Sequence, residues 1–134
     1  MKKIFSSFDI GILIVRIGIG ISFILHGLPK LTGGEEKWLK LGEKMSLFGI
    51  DFWHVQWGFM AAFAETFGGL FIALGIFWRS SNFLLLSTMI VAIQFHHSRG
   101  DGFSHAFEAG VLFLGLLFMS PGKYSLNNLF KKKK

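Results

Sequence analysis

Apolar residues in this chain fall into four long runs, each ended by a polar break. They cover about residues 10–28, 57–78, 82–97 and 104–119. The first two reach the roughly 20 residues that cross a bilayer core, and the last two fall slightly short. A soluble helix shows a polar face at the helical period. The second run, GFMAAFAETFGGLFIALGIF, is apolar or small on every side. The pattern predicts an all-α fold: one domain over 1–134, built as a four-transmembrane-helix bundle. Between the first two runs, Gly33-Gly34 breaks the chain and Glu35-Glu36 suits a helix N-terminus. Trp38, Leu41, Met45 and Phe48 then recur at helical spacing among Lys37, Lys40, Glu43 and Lys44. That predicts a short amphipathic helix at the outer interface, placed to act as an anchor or a lid. Trp53, Trp57 and Trp78 stand near run ends, as an aromatic belt would. Lys2 and Lys3 before the first run imitate a signal peptide. The run is longer than such a segment, however, and His26-Gly27-Leu28-Pro29-Lys30 follows in place of a cleavage site, so a retained span is expected.

Composition supports this picture. The chain is 51% hydrophobic and only 16% charged, whereas soluble domains carry nearer a quarter charged residues. Its apolar and aromatic content excludes a disordered chain. The absence of Cys excludes a disulfide scaffold, a thiol nucleophile and a thiolate-ligated metal centre. The net charge of +6 is a matter of topology. Lys2, Lys3, Arg79, Lys123 and the four lysines of 131–134 fall on one side, and Lys30, Lys37, Lys40, Lys44 and Arg99 on the other. By the positive-inside rule both termini should be cytoplasmic. The lysine tail then meets anionic lipid. With no aromatic-basic stripe or recognition motif, the expected partner is the lipid bilayer and not nucleic acid.

Three charges remain inside the runs: Arg16, Glu65 and Glu108. A charge in a span is costly and marks a functional candidate. Counted from opposite faces, Arg16 and Glu65 sit at depths within roughly 10 Å of each other, so an Arg16–Glu65 ion pair is expected, structural or functional. Ala61, Glu65, Gly69 and Ala73 form a small-residue stripe that turns Glu65 into the bundle. His105 and Glu108 share a face at spacing three. In the third run Ser87, Val91 and Gln94 give a polar side nearer His97, while Thr88, Ala92 and His96 form a rival stripe. By depth, His26, Glu65, Gln94, His96 or His97, and His105 with Glu108 fall in one layer of the outer half. Bundles build sites in this way. The layer suits a metal site, with His26, Glu65, His97 and Glu108 as candidate ligands. It suits a quinone pocket, in which imidazole and carboxylate handle protons at the ring oxygens. It also suits a plain polar packing network. A haem between His26 and His97 is a weaker variant of the first.

The elements Arg16…His26-Gly27-Leu28-Pro29-Lys30, Ala64-Glu65-Thr66-Phe67-Gly68-Gly69 and Ser120-Pro121-Gly122-Lys123-Tyr124 occur in order along the chain. Together they resemble the DoxX family of small bacterial inner-membrane proteins. The resemblance implies a multi-pass inner-membrane protein linked to oxidoreductases, some of them quinone-reducing. It also implies that Arg16, His26, Lys30, Glu65 and Glu108 are positions typical of the family. The family's thiosulfate chemistry has no specific residue here.

The resulting expectation is a quinone-linked redox protein or subunit. Glu65, Glu108 and His26 would handle protons. Arg16, Lys30, Gln94, His97 and His105 would bind or orient the ligand. Electrons would come from a partner oxidoreductase subunit or from a soluble reductant. The alternatives are a non-enzymatic subunit that recruits or assembles an oxidoreductase complex, and a metal- or haem-binding redox protein. A homodimer is compatible with the small-residue stripes, although none is clearly left over for it.

Overall fold

The computed structural model describes residues 6–133, and every regular element among them is helical. Helix α1 spans Ser7–Leu31 and α2 spans Glu35–Gly42, followed by a 3-10 turn over Glu43–Phe48. Then come α3 (His54–Leu74), α4 (Trp78–Arg99), α5 (Ser104–Phe118) and a short α6 (Leu126–Lys132). Two of these, α1 and α3, are long and apolar enough to cross a membrane, and α5 is a shorter apolar helix. Lys2, Lys3 and Lys134, used in the topology argument, lie outside the described residues.

Helices α1 and α3 pack antiparallel at a glycine seam. A Cβ on Gly20 would stand 2.6 Å from the Gly69 carbonyl oxygen, and one on Gly27 would stand 2.6 Å from the Thr66 amide nitrogen. Without side chains at these points the two backbones approach closely, which gains dispersion contact along both helices. The predicted stripe therefore faces α1 through Glu65, Gly69 and Ala73. An adjacent side of α3 offers Gly68 to Leu85 of α4, and Gly110 of α5 packs on Met89 and Ile93 of α4. The order across the bundle is α1, α3, α4, α5. Phe23 and Phe113 then meet edge to face at 4.9 Å, bringing α5 back toward α1. Their core neighbours include Ile12, Ile72, Leu85, Met89 and Leu116.

Two boundaries differ from the apolar pattern. The run over 57–78 is broken at Gly75, which takes a left-handed φ of 72°. The Gly75 amide donates to the Phe71 and Ile72 carbonyls and the Ile76 amide donates to Phe71, a glycine-terminated helix end. Trp78 consequently opens α4. It is buried, and its indole N–H donates to the carbonyls of Leu116 (2.9 Å) and Met119 (2.8 Å). Its role is to close the C-terminus of α5, which corrects its assignment to an aromatic belt. Helix α4 also runs on to Arg99, past the expected end at 97.

The amphipathic segment forms as expected, but as two pieces clamped on α3. Gly58 lies against the Trp38 carbonyl and Gly42 against the His54 carbonyl. The Trp38 indole donates to the Lys30 carbonyl at 3.0 Å, which ties α2 to the end of α1. Helix α6 was not expected. Ser125 caps it, its hydroxyl accepting from the Asn128 amide at 3.3 Å. The Lys123 amide donates to Asp9 Oδ1 at 2.8 Å, which ties the C-terminal segment to the start of α1.

The seam predicts opposite signs for one substitution at two glycines of α1. Gly27→Ala should destabilise the protein by about 1–3 kcal/mol through overpacking. Gly18→Ala, where nothing lies within 4 Å of the new Cβ, should be neutral or stabilise by up to about 1 kcal/mol. Thermal unfolding of the two variants in detergent checks this. Equal effects would contradict the seam.

Candidate functional site

A cavity of about 610 Å³ opens among the C-terminal half of α1, the first half of α3, the middle and last part of α4 and the first half of α5. The 3-10 turn crosses its mouth and contributes Lys44 and Met45. Its walls are mostly apolar, including Phe23, Met60, Leu84, Val91 and Leu112. Its polar groups are His26, Lys30, Glu65, His96, His105 and Glu108, with Ser22, Ser87 and Thr88. Of the residues expected in one polar layer, His26, Glu65, His96, His105 and Glu108 line this cavity, and Gln94 and His97 do not.

The glycine seam fixes the central contact. Gly27 against Glu65 and Thr66 sets the α1–α3 register, and one turn further along α1 Lys30 comes over Glu65. Lys30 Nζ donates to Glu65 Oε2 at 2.7 Å, and the two side chains are 31% and 10% exposed. Glu65 is therefore paired with Lys30 and not with Arg16. Residues 16 and 27 are about 16 Å apart along one helix, and the seam places residue 27, not 16, beside Glu65.

Arg16 belongs to a separate cluster at the other end. It is 1% exposed, and its Nη2 donates to the Tyr124 carbonyl at 3.5 Å. Its guanidinium lies where a side chain at Gly75 would be, beside Ser125. The positive charge therefore sits at the C-terminus of α3, where the helix dipole is negative. Its Nε and Nη1 have no other partner. Arg16 does not line the cavity.

The histidines divide. His26 Nδ1 is 2.7 Å from the Ser22 carbonyl. A carbonyl oxygen only accepts, so Nδ1 carries the proton and Nε2 of the neutral ring is an acceptor. His96 lines the cavity, which decides between the two histidines of α4. His97 is exposed and packs edge-on against Phe103, and Gln94 is exposed as well. Both had been expected in the site, and both lie outside it: Ser87 and Val91 line the cavity beside Thr88 and Ala92, but in the last turns of α4 it is His96 that stays on the cavity side. With His97 turned away, the candidate set His26, Glu65, His97 and Glu108 is not assembled. Among the described residues no three His, Asp or Glu side chains gather to hold a metal. His105 and Glu108 stand at the cavity's exposed rim on α5.

Lys44 and Trp57 were missed as site residues. Lys44 lies on the polar side of the amphipathic pattern, but its Nζ sits 4.2 Å above the Phe95 ring. Burial lowers its pKa, and the positive charges of Lys30 and Arg99 lower it further, against an opposing pull from Glu65. Trp57 lines the cavity and its indole nitrogen is buried without a partner.

The DoxX family model matches residues 11–98, a range that holds Arg16, His26, Lys30, Glu65 and His96 and stops before His105 and Glu108. The chain is 30% identical to "Inner membrane protein YqjF" of Escherichia coli, over 93% of this chain and 95% of that protein. It is also 30% identical to an uncharacterized protein of Haemophilus influenzae, over 89% of this chain and 90% of the other. No solved structure matches it.

Double-mutant cycles on thermal stability should separate the two charge clusters. Lys30→Met with Glu65→Leu should show a coupling of about 1–3 kcal/mol, whereas Arg16→Met with Glu65→Leu should be additive within about 0.5 kcal/mol. Strong coupling of Arg16 to Glu65 would contradict the register.

Proposed function

The chain belongs to the DoxX family, and we propose that this member is a four-span protein of the bacterial inner membrane, both termini cytoplasmic, that holds a lipid-soluble quinone in the outer cavity. Exposed apolar side chains on all four long helices support the spans: Ile14, Phe63, Phe83 and Phe118 are among them. Lipid covers such surfaces at no cost in unpaired polar groups. The inner-membrane location draws on the name of the Escherichia coli relative.

The observation that carries the reading is the cavity itself. Its volume of about 610 Å³ lies in the range of small-molecule sites. Its walls are apolar, while its polar groups come from α1, α3, α4 and α5 at one level. That division suits a ring with two oxygens and an apolar tail. Unpaired buried groups support the same reading. The indole N–H of Trp57 is buried without a hydrogen-bond partner, and Nδ1 of His96, 3.9 Å from Asp101 Oδ2, makes no hydrogen bond; both side chains line the cavity. Leaving such groups unpaired costs about 1–3 kcal/mol each, and a carbonyl-bearing ligand supplies acceptors.

A bound quinone takes up two electrons and two protons in becoming the quinol. The chain's own residues bind the ring and handle those protons. Lys30 Nζ, already donating to Glu65 Oε2, holds a further N–H for a ring oxygen. Glu108 and His105 at the rim exchange protons with the outer aqueous phase. His26 Nε2 accepts from a ring hydroxyl. Met45 and Leu41, carried by the amphipathic segment, cover the mouth and exclude water. Cys-free and without a nucleotide-binding motif, the chain relies on a partner oxidoreductase subunit for electrons.

Titration of the detergent-solubilised protein with a short-tailed ubiquinone analogue, read by tryptophan quenching, tests this. Wild type should saturate. Ala109→Phe, which fills the cavity from α5, should weaken binding at least about tenfold. Gly115→Ala, at a position with nothing within 4 Å, should not. Equal affinity in wild type and Ala109→Phe would overturn the assignment of the ligand to this cavity.

A further inference from the structure

One cation that lines the cavity has no carboxylate partner. Lys30 is paired with Glu65 at 2.7 Å, and Arg99 is paired with Asp101 at 3.3 Å. Lys44, between them on the 3-10 turn, has no carboxylate oxygen within 4.0 Å among the described residues. Glu108 also lines the cavity, from α5, but forms no ion pair with Lys44. What holds Lys44 inward is the face of Phe95, 4.2 Å from its Nζ; the Arg99 guanidinium shares that ring at 5.2 Å. A ring face compensates an ammonium only partly, and less than an anion does. Burial, and then the neighbouring cations Lys30 and Arg99, lower the pKa of Lys44 against an opposing pull from Glu65. A partly buried lysine that lines the cavity and has an aromatic face in place of a carboxylate can take its counter-charge from a ligand.

We propose that Lys44 selects the ligand's head group: the cavity prefers quinones whose ring bears an ionised oxygen, held against Lys44 Nζ, over neutral quinones of the same size. The ionised oxygen replaces Phe95 as the main partner of Lys44 and relieves its repulsion from Lys30 and Arg99. The apolar tail occupies the wall formed by Met60, Leu84 and Leu112. Lys44 is carried by the segment that crosses the mouth, so the same contact draws the turn down over the ligand. This inference rests on the quinone reading and adds the charge of the preferred quinone.

The test uses the full chain in lipid nanodiscs and two probes with the same alkyl tail. One is a hydroxynaphthoquinone that is ionised at neutral pH, and the other is its neutral methyl ether. Both are titrated by tryptophan quenching against wild type, Lys44→Gln and Lys44→Arg. The ratio of the two affinities cancels differences in probe partitioning when compared between proteins. That ratio should favour the ionised probe by about tenfold in wild type relative to Lys44→Gln, and Lys44→Arg should restore it. An unchanged ratio in Lys44→Gln would overturn the role of Lys44 while leaving quinone binding in place. Failure of both probes to bind wild type would overturn the quinone reading and this inference with it.

Discussion

The close approach of α1 and α3 decides where the charges of this protein meet. Gly20 lies on Gly69, and Gly27 lies on Glu65 and Thr66. Together these contacts set one antiparallel register. Shifting α1 by one turn would move every partner by about 5.4 Å. In the observed register, the last turn of α1 brings Lys30 over Glu65 and the middle of α1 brings Arg16 beside Gly75. The seam therefore separates the polar interior into two clusters at opposite ends of the bundle.

The two clusters have different physical characters. The polar side chains at the Arg16 end are closely packed. Arg16, Ser81, Asn82 and Ser125 are all at most 1% exposed. Asn128 donates to the Gly122 carbonyl at 2.8 Å, and Lys123 is tied to Asp9. This end is a lock that joins the C-terminal segment to α1 and α3. The Lys30 end holds the cavity. Phe23 and Phe113 bridge α1 and α5, and the cavity opens toward the amphipathic segment. The rigid end positions the helices, and the open end carries the groups available to a ligand.

Much of this was legible in the sequence. Four apolar runs, an amphipathic segment after Gly33-Gly34, and a polar layer in one half follow from spacing and the cost of buried charge. The pairing of Arg16 did not follow. Depth counted from approximate run ends carries an error of several residues, and the true register depended on which glycines interlock. The choice of His96 over His97 needed the rotation of α4, which two competing stripes left undetermined. Trp78 looked like an interface residue because the apolar run continues through Gly75, whose left-handed turn ends α3. Lys44 read as a solvated charge on an amphipathic face. Only the three-dimensional fold turns that face over the cavity and sets Phe95 beneath it. Helix α6 carried one signal, Ser125 ahead of Leu126 and Leu129, overshadowed by the lysines that follow.

The central claim is that this cavity, and not the apolar outer surface of the helices, is where a quinone resides. Photolabelling with an azido-quinone in native membranes, followed by peptide mapping, addresses it directly. The account predicts adducts on cavity residues such as Met45, Met60 and Leu112, suppressed by excess unlabelled quinone. Adducts confined to lipid-facing positions such as Ile14 and Phe118, and insensitive to competition, would contradict it.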